Sequence, residues 1–236
     1  MSAILKRLFP DGVVRSLREW RDIVHDRFMQ PSWSQEGEDL LLKRLFDSRT
    51  SGFYVDVGAH HPRRFSNTWL FYTRGWRGIN IDAMPGSMAL FRRLRPRDIN
   101  LEVPVAEVEH SLTYYIFNEP ALNGFSAELS ASRNAWKDYH IVDTKPLLAH
   151  PLAKILTEHV PEGQSIDFFS VDVEGMDFAV LRSNDWQRFR PEIVLVEVLG
   201  STLEDVVTSE LTLYMERQGY VAFAKLFNTV FFRRST

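Results

Sequence analysis

Two short apolar runs, Phe53-Tyr54-Val55-Asp56-Val57-Gly58 and then Gly78-Ile79-Asn80-Ile81-Asp82, constrain this chain more than any other feature. Each reads as a buried strand, and their carboxyl tips carry Asp56 with Gly58 and then Asp82. In an open parallel sheet the ligand sits outside the carboxyl ends of the strands. A glycine at the first tip lets the backbone approach that ligand, and an acid at the second can hold ribose hydroxyls. The pair therefore points to an adenosine-containing cofactor.

What is missing narrows the choice of cofactor. A dinucleotide site would open its helix with G-x-G-x-x-G, whereas Gly58 is followed by Ala59-His60-His61-Pro62-Arg63-Arg64. No G-x-x-x-x-G-K-[ST] phosphate loop occurs anywhere in the chain. S-adenosylmethionine, which has no phosphates and needs an acid, a glycine turn and a ribose-binding acid, is the remaining common adenosyl cofactor. The plainer reading is a strand that ends in an ordinary Asp-x-Gly turn.

With 236 residues, 44% of them hydrophobic and 25% charged, the chain has the composition of an ordinary globular protein with one sizeable core. A net charge of -3 offers no global attraction to nucleic acid. The absence of cysteine removes disulfides, thiolate zinc sites and cysteine nucleophiles together. No apolar run reaches the length of a membrane span, and the first thirty residues lack a signal-peptide core. The expectation is a cytoplasmic protein without a membrane span.

Along the chain, Val13, Val14, Leu17, Trp20, Ile23, Val24 and Phe28 recur at helical spacing with arginines between them. This predicts an amphipathic helix over 11–29, within an N-terminal extension (1–32) that packs against the domain or a second copy or touches a membrane surface. After Pro31, Ser34 reads as an N-cap, with Glu36, Glu38 and Asp39 in the first turn and Leu40 to Phe46 buried. From Phe53 the pattern is strand 53–58, helix 66–74, strand 78–82, helix 85–94 and strand 99–105, which is βαβαβ. Leu112 to Phe117 is extended, and an insertion around 118–150, with Trp136 and His140, shows no clean period. Helix 152–159, strand 166–173, short helix 177–181 and strand 192–199 follow. Ser201 with Glu204 reads as a capping box for a helix to Gln218, stopped by Gly219. Residues 220–227 and 230–233 form an antiparallel hairpin around Asn228-Thr229. The sum is an α/β, doubly wound, mostly parallel sheet with a C-terminal antiparallel β-hairpin.

A second acidic group, Asp172-Val173-Glu174-Gly175-Met176-Asp177, ends the fourth parallel strand. Alternation puts Asp172 and Glu174 on one side of that tip, facing the crevice of Asp56 and Asp82. Uncompensated buried charge is costly, so such a cluster suits a cationic ligand, a metal or proton transfer. The alternative is that Glu174 and Asp177 begin a helix and accept its free N–H groups. Arg92, Arg93, Arg95 and Arg97 read either as a phosphate site or as a solvated helix end.

The run Ser34-Gln35-Glu36-Gly37-Glu38-Asp39, then Tyr54-Val-Asp56-Val-Gly58-Ala59, Ser66-Asn67-Thr68, Gly75-Trp76-Arg77-Gly78-Ile-Asn80-Ile-Asp82 and Asp172-Val-Glu174-Gly175-Met176-Asp177 resembles the FkbM family of S-adenosylmethionine-dependent methyltransferases over about residues 33–199. The resemblance implies a class I methyltransferase (Rossmann-like) sheet over 33–236 and O-methylation of a sugar or other polar hydroxylated metabolite, hence a small-molecule or glycan acceptor. With the strand-tip geometry it assigns Asp56 and Gly58 to the methionine end and Asp82 to the ribose. Gln35 and Glu38 close over the cofactor, and Asp172 lies near the sulfonium or ammonium. Glu174 is the preferred general base, followed by His60 and His140. A divalent ion bridged by Asp172 and Glu174 is the alternative way to activate a hydroxyl. Many members carry Asn where His60 stands, so His60 orients the methionine moiety, acts as a base, or simply packs. The rival expectation is a non-catalytic cofactor-binding scaffold of the same fold.

Overall fold

The structure is a computed structural model and describes residues 29–134, 136–173 and 175–235 together with 12, 13, 16 and 20. Two compact units divide the chain, 1–31 and 32–236. Of the helix predicted over 11–29, residues 12, 13, 16 and 20 are helical, and 11, 14, 15, 17–19 and 21–28 lie outside the described residues. No described helix is long and apolar enough to cross a membrane.

In the second unit the described elements are α1 (Glu38–Leu45), β1 (Phe53–Val57), α2 (Trp69–Thr73), β2 (Arg77–Asp82), α3 (Met88–Leu94), β3 (Ile99–Glu102), β4 (His110–Phe117), a 3-10 turn (Pro120–Leu122), α4 (Ala127–Arg133), β5 (Ile141–Ala149), α5 (Leu152–His159), β6 (Phe168–Val171), α6 (Asp177–Arg182), β7 (Ile193–Glu197), α7 (Leu203–Thr208), α8 (Glu210–Arg217), β8 (Tyr220–Lys225) and β9 (Thr229–Arg234). Seven strands form one sheet in the order β3-β2-β1-β6-β7-β9-β8. The first five are parallel, and β9 and β8 close the edge antiparallel. This is the predicted doubly wound sheet with its C-terminal hairpin.

The pleat sorts the core into two faces. Phe53, Val55, Val57, Ile79, Ile81, Phe169, Val171, Val194, Val196 and Phe232 belong to one cluster with α5, α6 and α8 residues. Tyr54, Phe168, Ile193, Leu195 and Phe231 belong to the other, with Leu42, Phe46, Phe71 and Trp76. Because both faces are covered, β1 is buried at every position, which is why it appears in the sequence as a continuous apolar run.

Four local expectations shift. Helix α1 starts at Glu38, behind Gly37 at φ 93, although the Ser34 hydroxyl still accepts the N–H groups of Gly37 and Asp39. The capping box falls one residue later than expected, on Thr202 and Asp205. The long C-terminal helix is broken at Ser209, whose hydroxyl accepts the Thr212 N–H and restarts it as α8. The unpatterned insertion supplies β5, the second strand of a two-stranded antiparallel ribbon whose first strand, β4, takes in the extended segment expected over 112–117; residues 142–146 of β5 are all exposed and so show no apolar alternation.

Candidate active site

Position along the strand decides which tip residues reach the crevice. Asp56 pairs in register with Asn80 on one side and Ser170 on the other, all on the face of Tyr54. Its carboxylate accepts a 2.7 Å hydrogen bond from the Thr68 hydroxyl, and Thr68 in turn accepts from Arg95 at 3.0 Å. Arg95, fully buried, bridges to Asp98 at 2.8 Å and donates to the Tyr54 hydroxyl, which itself donates to Asp98. Asp98 also accepts from Gly78 N–H and Asn80. This network ties the first three strands together under α2, and burial pushes the Asp56 carboxyl above its ordinary range against the Thr68 hydroxyl and the Arg95 charge.

The neighbouring residues of opposite parity, Val57 and Ile81, line a cavity of about 290 Å³ at the carboxyl edge of the sheet. Its wall continues through Gly58, His60, Asp82, Met84, Val103 to Val105 and Asp172. Gly58 sits at φ +86, and a Cβ there would lie 1.7 Å from the Asp172 carbonyl oxygen. Only glycine permits the β1 and β6 tips to come this close. Asp82 accepts the His60 N–H at 2.9 Å and the Met84 N–H at 2.7 Å, one on each oxygen. Burial raises its carboxyl above the usual range, opposed by these two N–H groups.

His60 itself has φ 47, in the left-handed region where Asn and Gly are at home. The departure from Asn noted in the sequence thus falls at a position whose backbone conformation suits Asn. Next to it, His61 Nδ1 accepts the N–H groups of Arg63 and Arg64. Burial, then the charges of His60, Arg64 and Arg63, lowers the pKa of His61.

Tyr114 on β4 and the loop between β4 and β5, with Pro120, Asn123, Gly124 and Phe125, close the opposite wall. Asn123 accepts the Phe117 N–H at 2.7 Å and points its amide at the Met84 sulfur, and the Tyr114 and Phe125 rings pack 4.9 Å apart. Burial and the Asp82 charge raise the pKa of the Tyr114 hydroxyl.

A second, smaller pocket adjoins the first and shares Gln35, Phe65 and Asp172 with it. Its remaining lining is mostly polar, including Glu36, Glu38, Asn67, Glu197, Asn228 and Thr229. Glu36 accepts the Asn228 N–H and Glu38 the Thr229 hydroxyl, so the 34–39 segment is fastened to the β8–β9 turn.

Of the predicted site residues, Gln35, Gly58, His60, Asp82 and Asp172 line the larger cavity, and Glu38 lines the smaller. Asp56 lines neither: Asp82 and Asp172 lie on the same face, but Asp56 stands one same-face step short of them, level with Asn80 and Ser170, and turns to Thr68. His140 is exposed beside the Phe117–Ile141 end of the ribbon and lines neither cavity, its Nδ1 3.2 Å from the Asp138 carbonyl, and Trp136 is likewise exposed. Glu174 lies outside the described residues. Asp177 accepts the N–H groups of Val173 and Gly175 at the start of α6. Arg95 is a buried structural cation, Arg97 stacks on Tyr72, and Arg92 and Arg93 are exposed, so the four arginines are not one cluster. No group of three or more His, Asp or Glu side chains able to hold a metal occurs among the described residues. Phe65, Met84, Tyr114, Asn123, Phe125 and Glu197 carried no signal in the sequence beyond residue type.

Residues 56–222 match the family described as the methyltransferase FkbM domain. No curated protein matches the chain. Among solved structures, a methyltransferase from Geobacter sulfurreducens is similar at 14% identity and a TM-score of 0.43, over 99% of this chain and 94% of its own.

Proposed function

The chain belongs to the FkbM methyltransferase family, and we propose that it is an S-adenosylmethionine-dependent O-methyltransferase acting on a hydroxyl of a sugar or other small polar metabolite. The observation that carries this reading is the cavity of about 290 Å³ at the carboxyl edge of the parallel strands, where Gly58, Asp82 and Asp172 meet apolar and aromatic walls, and which opens at Gln35, Phe65 and Asp172 onto a polar recess of about 20 Å³.

The donor set of the larger cavity suits the cofactor. Each Asp82 oxygen spends one lone pair on a backbone N–H, which leaves lone pairs to accept ribose hydroxyls. Met84, Val103, Val105, Tyr114 and Phe125 offer apolar and aromatic surface for a purine. Gly58 lets the backbone approach the methionine end. When bound, S-adenosylmethionine supplies an electrophilic methyl group on a cationic sulfur. Asp172, at the junction, is the carboxylate suited to face that charge. Asp56 contributes by anchoring the β1 tip through Thr68.

The polar recess has room for little more than one water, so it serves as a polar rim beside the cofactor rather than as a site for a whole acceptor, and orientation of the acceptor hydroxyl at that rim is the main service to the reaction. Glu174 is the preferred base for the hydroxyl proton. His60, in the cavity wall, is second, and His140 third.

The test is calorimetric titration of the protein with S-adenosylmethionine and with S-adenosylhomocysteine, alongside Asp82→Ala. Saturable binding of both is expected, weakened in the variant by about 1.5–3 kcal/mol, roughly 10- to 100-fold. Absence of binding by the folded wild type would refute the cofactor; equal affinity in the variant would refute the role of Asp82.

A further inference from the structure

We infer that Phe65 is a positioning residue, the apolar partition at the edge where the cofactor cavity opens onto the small polar recess, and that its left-handed backbone is what aims the ring there. The inference rests on the reading of the larger cavity as the cofactor site.

Among the described residues only Gln35, Phe65 and Asp172 line both cavities, and Phe65 is the one apolar member. Its φ is +55, unusual for a bulky side chain, and it is 48% exposed despite its size. Such a conformation persists where the surroundings over-determine it, and the surroundings here do so. The loop begins at His60, itself left-handed and tied by its N–H to Asp82. Midway, His61 Nδ1 accepts the N–H groups of Arg63 and Arg64. Just past Phe65, the Ser66 N–H donates to the Trp33 carbonyl. The Arg64 guanidinium lies 4.6 Å from the centre of the Phe65 ring, a cation–π contact that holds the ring in place. A return to the ordinary right-handed region would redirect the Cα–Cβ bond and take the ring off the partition.

At that edge the ring limits how the cofactor lies in the cavity, and so the direction in which its methyl group is presented.

The experiment compares Phe65→Gly, Phe65→Ala and Phe65→Leu in the full chain, by ligand-free thermal unfolding and by titration with S-adenosylmethionine. At an ordinary backbone position glycine is less stable than alanine; at φ +55 the order reverses, so Phe65→Gly should melt about 2–4 °C above Phe65→Ala. Both should bind S-adenosylmethionine about fivefold or more weakly than wild type, with Phe65→Leu between. A residue serving stability alone would not move affinity in two variants whose stabilities differ. Phe65→Gly melting at or below Phe65→Ala, or both variants binding within about twofold of wild type, overturns the inference. Wild type that fails to bind refutes the cofactor reading, and the inference falls with it; wild type that binds while both variants bind as tightly as it does refutes the inference alone.

Discussion

Replacing Gly58 with alanine isolates the contact on which the crevice is built. The new Cβ would stand 1.7 Å from the Asp172 carbonyl oxygen and 2.7 Å from its carbon, both backbone atoms that no rotamer change can move. Restoring a tolerable 3.0 Å requires the β1 and β6 tips to part by about 1.3 Å. That displacement breaks the 3.0 Å hydrogen bond from Asp172 N–H to the Val57 carbonyl and strains those from Gly58 and Ala59 N–H to Ile81. Overpacking costs about 1–3 kcal/mol, the hydrogen bond about 1, and a side chain at φ +86 about 1 more. The expected loss is about 3–5 kcal/mol, a fall in Tm of roughly 10 °C. The control is Gly75→Ala, at φ +96 with nothing within 4 Å of its Cβ, which should lose only the backbone part, about 1 kcal/mol. Urea unfolding followed by circular dichroism measures both, and titration with S-adenosylmethionine should show weakened binding in Gly58→Ala alone. A loss in Gly58→Ala no larger than in Gly75→Ala would refute the close-approach argument.

Arg95→Met should cost about 3–5 kcal/mol by urea unfolding, because it leaves Asp98 buried without its cation, whereas Arg92→Met at an exposed position should stay within about 0.5 kcal/mol. His60→Asn should match wild-type stability and His60→Ala lose about 1 kcal/mol, since Asn tolerates the left-handed region; turnover retained by His60→Asn would remove His60 as a base. Burial raises the Asp56 carboxyl, so the folded chain keeps that proton to higher pH than the unfolded one. Its contribution is whole below about pH 4 and is lost as pH rises through the folded value. Asp56→Asn does not titrate, so its stability relative to wild type should improve from about pH 4 to about pH 7; a flat or falling difference in urea midpoints would contradict the sign.

The sheet was legible because each central strand is buried on both faces and writes that burial into its own residues: Phe53 to Val57 and Ile193 to Val196 are buried at every position. The glycine and acid at the first two tips were legible for the same local reason. The β4–β5 ribbon was not, since its exposed second strand has no alternation to display, and neither was the Ser209 break, where a hydroxyl competes with helix propagation at a residue ordinary in either role.

What the sequence determines by itself is therefore periodic and short-range: which segments are strands, which turns need glycine, and where acids stand at strand ends. Which of those acids face the ligand was decided by the assembled sheet. Asp56 and Asp82 look alike as strand-tip carboxylates, yet Asp56, level with Asn80 and Ser170, is enclosed and turns toward Thr68 and Arg95, while Asp82, two residues beyond Asn80 on the same face, reaches the cavity. Arg95 likewise sits in an arginine-rich run that resembles a solvated helix end until folding buries it against Asp98. Gln35, Phe65, Tyr114, Phe125 and Asp172 come from segments that share no pattern, and only packing of the N-terminal turn, the loop after Gly58 and the ribbon onto one sheet edge makes them neighbours. Convergence of this kind depends on contacts between residues far apart in the chain, and no window of local sequence contains them.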